Sequence, residues 1–325
     1  MVFVINLSII DNEHYFYEFL DCPRMADVKP VKAGWFNVFR PWTLHGAVIP
    51  ALIGGAVAFK DDTFCWWIFL MTVACCILLQ SAANILNTYG DFVRGTDTEE
   101  NHTRSPELVT GALSAKKVFM AGMACLGIVA LCGLVFIWYI GWGILIFGIL
   151  GLGGAAMYTI GVSYKYHGLG QVGVFVLMGI LMPLGTYYVM SGVLSYEVLL
   201  LSLPNAFMIT AVLCGNEMRD YYEDRKSNVG TLAGRMSYED GMKLYLIENF
   251  IGYPILFVLI TFGCVHWFCA LAFICLVDAH ALYENSRKAS TDGGCSRLLV
   301  PMAFKHNWQF GLLLVIGYIV GNCVI

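Results

Sequence analysis

Long stretches without Asp, Glu, Lys or Arg run through most of this 325-residue sequence and limit what it can fold into. One charge-free stretch covers residues 63–90, and another covers residues 118–164. A helix needs roughly 20 apolar residues to cross the hydrocarbon core of a bilayer. Hydrophobic residues make up 58% of the chain and charged residues only 13%, whereas about a quarter of an ordinary soluble domain is charged. The sequence therefore predicts an all-α, polytopic membrane protein.

Nine membrane-spanning helices account for the apolar stretches. The stretch 118–164 is too long for one helix, and Gly141 and Gly143 predict a tight hairpin that divides it. The region after Met242 is divided at Gly263 in the same way, and Pro183 is expected to kink the fifth helix. The predicted spans are residues 41–59, 63–90, the two halves of 118–164, 170–190, 198–215, 242–262, 265–283 and 306–325.

The basic residues predict how the chain is oriented in the membrane. With nine spans and a cytoplasmic N-terminus, 18 of the 19 Lys and Arg residues fall in cytoplasmic segments, and only Lys60 does not. Basic residues accumulate on the cytoplasmic side of membranes. Residues 1–36 show neither a basic leader nor a small-residue cleavage site, so we expect a soluble or surface-lying extension there, followed by a single transmembrane domain over residues 37–325.

Two polar clusters interrupt the apolar pattern, and both fall on the predicted cytoplasmic face, where we expect an active-site cap. Each cluster places an Asn four residues before an Asp, and residues four apart share one face of a helix. Carboxylates near a membrane boundary are costly unless a cation joins them. The members are Asn87, Asp91 and Asp97 in the first cluster, and Asn216, Asp220 and Asp224 in the second.

These residue types favour a magnesium and diphosphate site. Mg²⁺ prefers oxygen ligands and accepts one or two carboxylates together with substrate phosphates. Two facing clusters are therefore expected to hold a diphosphate between Mg²⁺ ions, so that an allylic C–O bond can ionise. The membrane helices would offer a groove for an isoprenoid tail. The cations expected to contact the diphosphate are Arg94, Arg104, Lys165 and Arg219.

Several alternatives are open at this point. Each cluster taken alone is typical of a solvated loop, and intramembrane carboxylates also occur in ion-coupled transporters, although no inverted repeat is visible. The net charge of −4 without a block of like charge excludes no fold but indicates no nucleic-acid partner. The cysteines show no zinc or iron–sulfur spacing. A solvated face is expected for Glu217, Glu223, Arg225 and Lys226.

The sequence resembles the UbiA superfamily of intramembrane prenyltransferases from Phe39 onward. The five-residue gap between Asp91 and Asp97 is similar to the 1,4-dihydroxy-2-naphthoate branch of menaquinone synthesis and longer than that of the 4-hydroxybenzoate branch. One position departs from that branch, because the residue after Gly170 is usually acidic and here is Gln171. Further segments that match the branch are Tyr158-Thr159, Tyr166-His167-Gly168-Leu169-Gly170, Gly185-Thr186-Tyr187-Tyr188-Val189, Arg219-Asp220 with Asp224, and Gly230-Thr231-Leu232.

The resemblance implies an enzyme that transfers a polyprenyl group from its diphosphate to an aromatic acceptor in the bilayer. The expected acceptor is 1,4-dihydroxy-2-naphthoate, which loses its carboxylate to give demethylmenaquinone. Homogentisate, 4-hydroxybenzoate, a chlorophyll precursor and haem are the alternative acceptors. A bacterial cell membrane is the expected location, with the active site facing the cytoplasm.

The resemblance also implies roles for the residues of both clusters. Mg²⁺ is expected on the four aspartates Asp91, Asp97, Asp220 and Asp224, with Asn87 and Asn216 as further ligands or as amides that orient a carboxylate. Lys165 and Arg219, together with Arg94 and Arg104, are expected on the diphosphate. Gln171 would bear on which acceptor is bound. The rings of Tyr158, Tyr164 and Tyr166 would stabilise a carbocation, or else form part of an interfacial tyrosine belt.

Overall fold

The computed structural model describes residues 33–97 and 106–323, and within these ranges it contains helices and turns but no strand. Helices α1 to α14 are, in order, Trp35–Phe39, His45–Lys60, Trp66–Val93, Pro106–Val109, Ala115–Ile140, Leu145–Met157, Gly170–Val174, Met182–Ser191, Tyr196–Arg219, Tyr221–Lys226, Tyr238–Phe250, Gly252–Thr261, Leu276–Lys288 and Gly293–Cys323. Short 3₁₀ segments cover Pro41–Thr43, Trp142–Ile144, Tyr164–His167, Ala233–Arg235 and Trp267–Cys275. The all-α prediction is confirmed for the described ranges.

Six helical segments in the described parts are long and apolar enough to cross a membrane. A seventh is counted if Trp35–Thr43 and His45–Lys60, which meet at a 40° bend, form one broken span. The apolar helix Trp142–Met157 is shorter, so nine crossings stay a prediction. The six spans are Trp66–Val93, Ala115–Ile140, Gly170–Ser191, Tyr196–Arg219, Tyr238–Thr261 and Trp267–Lys288.

Both predicted glycine divisions are confirmed. Helix α5 ends at Ile140, and Gly141 follows with φ +94°. Helix α12 ends at Thr261, and Gly263 follows with φ +68°. These positive φ values are readily reached by glycine because it has no Cβ, and so they end the helices at the expected places.

The two largest errors in the predicted boundaries lie in the fourth and ninth spans. The fourth span was expected to reach residue 164, but α6 ends at Met157, and residues 158–163 form a loop. The ninth was expected to start at residue 306, but α14 begins at Gly293. Charge-free length is a poor guide in α14, because its Lys305 Nζ lies 2.9 Å from Asp278 Oδ1 of α13, and a paired charge is tolerated inside a helix.

The helix is interrupted at Arg40, before the bend that precedes α2, and α3 stabilises this interruption. Arg40 lies in the left-handed region with φ 50°, and Pro41 follows. Proline has no N–H to donate, which leaves carbonyls of the preceding turn without a helical partner. The Asn84 amide of α3 donates to the Phe39 carbonyl at 3.1 Å and to Thr43 Oγ1 at 2.9 Å. The segment around Arg40 and the first polar cluster are therefore both attached to α3.

Pro183, which was predicted to kink the fifth span, lies directly after a π-helical stretch, and the kink stays a prediction. Residues Phe175–Leu181 are π-helical, and Pro183 lies in the first turn of α8, which follows directly. Short π segments inside α-helices accommodate a locally misfitting hydrogen-bond pattern. The segment Gly170–Ser191 still counts as one span.

Helix α9 is central and carries the second polar cluster at its C-terminal end. Of its apolar window, 72% is buried, compared with 28% in α5. At the opposite end of α9, Glu197 pairs with Lys60 and accepts a hydrogen bond from Tyr318 at 2.6 Å. These contacts gather the ends of α2, α9 and α14 away from the clusters, so the polar clusters lie at the other end of the bundle.

Candidate active site

The first cluster is built around the Asp91 carboxylate on the last turn of α3. Asn87 Nδ2 donates to Asp91 Oδ2 at 3.0 Å, which confirms that residues 87 and 91 share a helix face. Lys165 Nζ lies 2.9 Å from Asp91 Oδ1, 3.0 Å from Asp91 Oδ2 and 2.9 Å from Asn87 Oδ1. The Tyr166 hydroxyl also donates to Asp91 Oδ1. An amide, an ammonium and a phenol thus hold one carboxylate.

The chain turns back directly after this helix, as the sequence predicts. Helix α3 ends at Val93, and Gly95 takes φ +71°. The N–H groups of Thr96 and Asp97 both donate to the Asp91 carbonyl, at 3.0 Å and 3.4 Å. Asp97 is consequently kept within one turn of Asp91.

The Lys165 ammonium reaches the first cluster from the loop that follows α6. Thr159 Oγ1 donates to Asn87 Oδ1 at 3.1 Å. A Cβ on Gly90 would lie 2.4 Å from Thr159 Cγ2, so glycine is what allows α3 to approach this loop so closely. Because Thr159 is anchored in this way, Lys165 is directed onto Asp91 from the following turn.

Arg94 lies beside this group, where it contacts Tyr166 and Ser163. Its guanidinium lies over the Tyr166 ring, 4.2 Å from the centroid, and donates to Ser163 Oγ. Its side chain is exposed at the edge of the cluster. An exposed guanidinium held over an aromatic face is suited to binding an anion that enters from the water.

The second cluster spans the joint between α9 and α10. Helix α9 ends at Arg219, and Asp220 separates it from α10. The Asp220 N–H donates to the Asn216 carbonyl at 3.1 Å, and the Asp224 N–H donates to the Asp220 carbonyl at 2.9 Å. The three side chains are therefore one turn apart, as predicted. Arg219 forms a bidentate pair with Asp220, with Nε–Oδ1 2.8 Å and Nη2–Oδ2 2.6 Å.

One loop contacts the first cluster and residues next to the second cluster, at the same end of the bundle. Lys165 and Tyr166 bind the first cluster, as described above. A Cβ on Gly170 would lie 3.6 Å from Glu217 Oε1 on α9. A Cβ on Gly230, after the second cluster, would lie 2.4 Å from the Tyr166 carbonyl oxygen. Residues 158–170 therefore form the joint between the two acidic segments.

Glu217 corrects the expectation of a solvated face. Its side chain is only 3% exposed, and Oε2 accepts hydrogen bonds from Gln171 Nε2 at 2.8 Å and from the Ala233 N–H at 2.9 Å. The span was predicted to end at residue 215, but α9 continues to Arg219, so Glu217 stays in the packed part of this central helix. A charged residue that directly continues an apolar helix was the signal available in the sequence. Glu223, Arg225 and Lys226 are exposed as expected.

The remaining predicted residues fall into three groups. Gln171 is 2% exposed and contacts Glu217. Tyr158 and Tyr164 pack edge to face with ring centroids 5.4 Å apart. Arg104 lies outside the described residues, as does most of the predicted N-terminal extension.

The loop tyrosines are held in their neutral form. Burial raises the pKa of Tyr164 to about 12. Burial, followed by the charges of Glu217 and Asp91 and the neighbouring Tyr164, raises the pKa of Tyr158 well above its usual value. Burial and the hydrogen bond to Asp91 also raise the pKa of Tyr166. Neutral phenols beside carboxylates serve as hydrogen-bond donors and leave their ring faces available to a cation.

The donor atoms of the two clusters suit Mg²⁺ in their chemistry. They are carboxylate and amide oxygens, which hard divalent cations prefer. In the described ranges no three His, Cys, Asp or Glu side chains converge on one point. Mg²⁺ is usually bound by one or two protein carboxylates, with phosphate oxygens and water completing its coordination.

Comparison with known sequences identifies the family of this chain. The sequence model of the UbiA prenyltransferase family matches residues 47–321. A UbiA prenyltransferase domain-containing protein 1 homolog from Drosophila melanogaster is 29% identical over 290 residues, covering 86% of this chain and 77% of that protein. A 1,4-dihydroxy-2-naphthoate octaprenyltransferase from Haemophilus influenzae is 30% identical over 235 residues, covering 66% and 72% of the two chains.

Solved structures share the fold. The apo structure of a UbiA homolog from Aeropyrum pernix K1 superposes with a TM-score of 0.64 at 15% identity, covering 86% of this chain and 97% of that one. A UbiA homolog from Archaeoglobus fulgidus bound to GPP and Mg²⁺ gives 0.51 at 12% identity, covering 89% and 98%. The match over residues 47–321, together with this fold, shows that the chain belongs to the UbiA prenyltransferase family and is a membrane-embedded prenyltransferase.

Proposed function

We propose that this enzyme transfers a polyprenyl group from polyprenyl diphosphate to 1,4-dihydroxy-2-naphthoate in a Mg²⁺-dependent reaction, with decarboxylation to demethylmenaquinol, the reduced form of demethylmenaquinone. The name of the Haemophilus influenzae relative supports this acceptor. The Archaeoglobus fulgidus homolog, which shares the fold, binds GPP and Mg²⁺. Homogentisate, 4-hydroxybenzoate, a chlorophyll precursor and haem are the alternative acceptors within the family.

The observation that carries the proposal is the group of Lys165, Asp91 and Asn87 next to the second acidic segment. Lys165 is directed by three hydrogen bonds, and Arg94 lies one turn beyond Asp91 with its guanidinium exposed. We assign these two cations, together with Arg219, to the diphosphate. Charges held in place before the reaction need no reorganisation when the leaving group departs.

We assign Mg²⁺ to oxygen ligands from both clusters. When bound, Mg²⁺ supplies positive charge that stabilises a departing diphosphate. Lys165 and Tyr166 orient the Asp91 carboxylate, as residues behind a metal ligand commonly do. The ligands proposed are Asp91, Asp97, Asp220 and Asp224, with Asn87 and Asn216 in support.

The reaction breaks the C–O bond between the allylic carbon and the diphosphate, and the diphosphate leaves with the electron pair. A ring carbon of the acceptor then donates an electron pair to the allylic carbon, and the acceptor carboxylate is lost as CO₂ as the ring regains aromaticity. The faces of Tyr158, Tyr164 and Tyr166 are proposed to stabilise the allylic cation. One face of the Tyr166 ring is already covered by the Arg94 guanidinium, so the allylic cation would meet its other face, and a place in an interfacial tyrosine belt stays the alternative.

We propose that the site faces the cytoplasm, because 18 of 19 basic residues fall on that side when nine crossings are assumed. A bacterial membrane stays a prediction, since the relatives come from both animals and bacteria. The division into an extension over residues 1–36 and a transmembrane domain over residues 37–325 is likewise retained as a proposal. The family match begins at residue 47, which is compatible with that division.

The decisive experiment uses the full-length protein purified in lipid nanodiscs. It is incubated with Mg²⁺, a polyprenyl diphosphate and a panel of the five acceptors, and products are identified by mass spectrometry. We expect prenylated and decarboxylated 1,4-dihydroxy-2-naphthoate to form faster than any other product, and EDTA to stop its formation. Faster transfer to another acceptor would refute 1,4-dihydroxy-2-naphthoate as the acceptor. Full activity in EDTA would refute the dependence on Mg²⁺.

A further inference from the structure

A buried pair of polar side chains lies next to the proposed metal and diphosphate residues. Gln171 is 2% exposed and Glu217 is 3% exposed, and Gln171 Nε2 donates to Glu217 Oε2 at 2.8 Å. The same Oε2 also accepts the Ala233 N–H at 2.9 Å. Glu217 Oε2 thus accepts two hydrogen bonds, one from Gln171 and one from the segment that contains Ala233.

The second oxygen of Glu217 and the single side-chain oxygen of Gln171 have no hydrogen-bond donor in the described parts of the chain. These atoms are Gln171 Oε1 and Glu217 Oε1, and both are buried. Buried polar atoms in proteins are nearly always hydrogen-bonded, because desolvation without a partner costs free energy. Two such acceptors on side chains that touch each other therefore point to a donor supplied from outside the protein.

Gly170 lets α7 pack closely against the Glu217 oxygen and the Tyr158 ring. A Cβ at Gly170 would lie 3.6 Å from Glu217 Oε1 and 3.7 Å from the Tyr158 ring. The Tyr158 ring in turn packs edge to face on Tyr164. The unpartnered carboxylate oxygen therefore lies near an aromatic ring, within the loop that joins the two acidic clusters.

We infer that Gln171 Oε1 and Glu217 Oε1 accept hydrogen bonds from the hydroxyl groups of the aromatic acceptor, with Tyr158 beside its ring. This inference rests on the proposed function and specifies which residues select the acceptor. Two acceptor atoms on adjoining side chains suit a ring that carries two hydroxyl donors. Sites built to bind a hydroxyl strongly reject analogues that lack it, because the protein groups are left unpaired.

The pair also explains why an amide at position 171 is compatible with this site. If residue 171 were acidic while Glu217 is present, two carboxylates would lie at hydrogen-bonding distance and repel each other. Gln171 instead donates its N–H to Glu217 and leaves its own oxygen available. The carboxylate usual at position 171 in similar sequences is thus supplied here by the neighbouring helix.

The test compares the full-length enzyme with Glu217→Gln, using 1,4-dihydroxy-2-naphthoate as the varied substrate. In Glu217→Gln, one oxygen must still accept from Gln171 and Ala233, so the amide NH₂ replaces the acceptor atom Oε1. We expect the KM for the aromatic substrate to rise at least tenfold, with the KM for polyprenyl diphosphate unchanged within twofold. The exposed Glu239→Gln on α11 is the matched control and should behave like the unaltered enzyme.

A charge exchange checks the assignment. Gln171→Glu alone should weaken binding of the aromatic substrate, whereas Gln171→Glu with Glu217→Gln restores one carboxylate and one amide and should recover most of the affinity. An unchanged aromatic KM in Glu217→Gln, or an equal rise in both KM values, would overturn the inference. The first result would indicate that only water occupies the pair, and the second would assign Glu217 to the diphosphate.

Binding to the unaltered enzyme gives a readout that does not depend on how variants fold. The dissociation constants of 1,4-dihydroxy-2-naphthoate and of its dimethyl ether are measured by tryptophan fluorescence. At least tenfold weaker binding of the ether is expected, and equal binding would contradict the inference. The unaltered enzyme could bind 1,4-dihydroxy-2-naphthoate more tightly than the ether and yet prenylate none of the acceptors. That result would refute the proposed reaction but not the assignment of Gln171 and Glu217 to the hydroxyl groups.

Discussion

Replacing Lys165 by Met tests the contact at the centre of the site. Methionine keeps a similar length but removes the ammonium, which makes three hydrogen bonds to Asp91 and Asn87. The Lys165 and Asp91 side chains are only 17% and 15% exposed, so water screens the pair weakly. A hydrogen bond to a charged group contributes about 1.5–3 kcal/mol, and we expect Lys165→Met to lower the free energy of unfolding by that amount.

The midpoint of thermal unfolding in detergent reports this loss. A change of 1 kcal/mol shifts the midpoint by roughly 2–4 °C in domains of 150–250 residues, so a loss of about 1.5–3 kcal/mol in Lys165→Met should lower it by about 3–12 °C. If the loss arises from the pair with Asp91, then Asp91→Asn combined with Lys165→Met should cost clearly less than the two single changes added together. Strictly additive shifts would refute the ion pair as the cause.

Catalysis gives an independent readout of the same change. Loss of one charge-assisted contact of about 1.5–3 kcal/mol to the diphosphate corresponds to a roughly 10- to 150-fold fall in kcat/KM. The matched control is Lys243→Met, because Lys243 pairs with Glu239 and Asp240 but is 59% exposed. Exposed pairs contribute little, so this variant should unfold and react like the unaltered enzyme. Unchanged kcat/KM for polyprenyl diphosphate in Lys165→Met would refute the assigned role.

The remaining predictions concern both clusters, the helix contact and the loop. Asp91→Asn and Asp220→Asn should each abolish prenyl transfer while the protein stays folded by circular dichroism, and full activity in both would contradict the metal and diphosphate site. Gly90→Ala should destabilise the protein by about 1–3 kcal/mol through overpacking and lower activity, whereas Gly133→Ala, which meets open space, should do neither. The pKa of Tyr164 is about 12 in the folded protein and about 10 in an unfolded chain. Above pH 10 the unfolded chain therefore loses the Tyr164 proton, which the folded protein retains. The contribution of Tyr164 to stability is constant below pH 10 and falls between pH 10 and 12. If the unfolding midpoint of Tyr164→Phe fell as steeply over that range as that of the unaltered protein, this prediction would be contradicted.

Helix breaks were predictable wherever glycine acts locally. Gly95, Gly141 and Gly263 all adopt positive φ at or just beyond a helix end, and their effect depends on the backbone of one residue alone. The end of α6 at Met157 and the start of α14 at Gly293 were missed. Both depend on contacts with other segments, such as the pair of Lys305 with Asp278, which charge-free length does not register.

Within the site, the contacts between residues four apart along the chain were predictable from the sequence alone. The bond between Asn87 and Asp91, and the one-turn steps from Asn216 to Asp224, follow from i, i+4 spacing, because helix geometry is set by backbone hydrogen bonds. Only the tertiary structure decided that Lys165, 74 residues along the chain, lies on Asp91. It also decided that Glu217 is buried against Gln171, since that depends on α9 lying at the centre of the bundle and on which of its faces is packed.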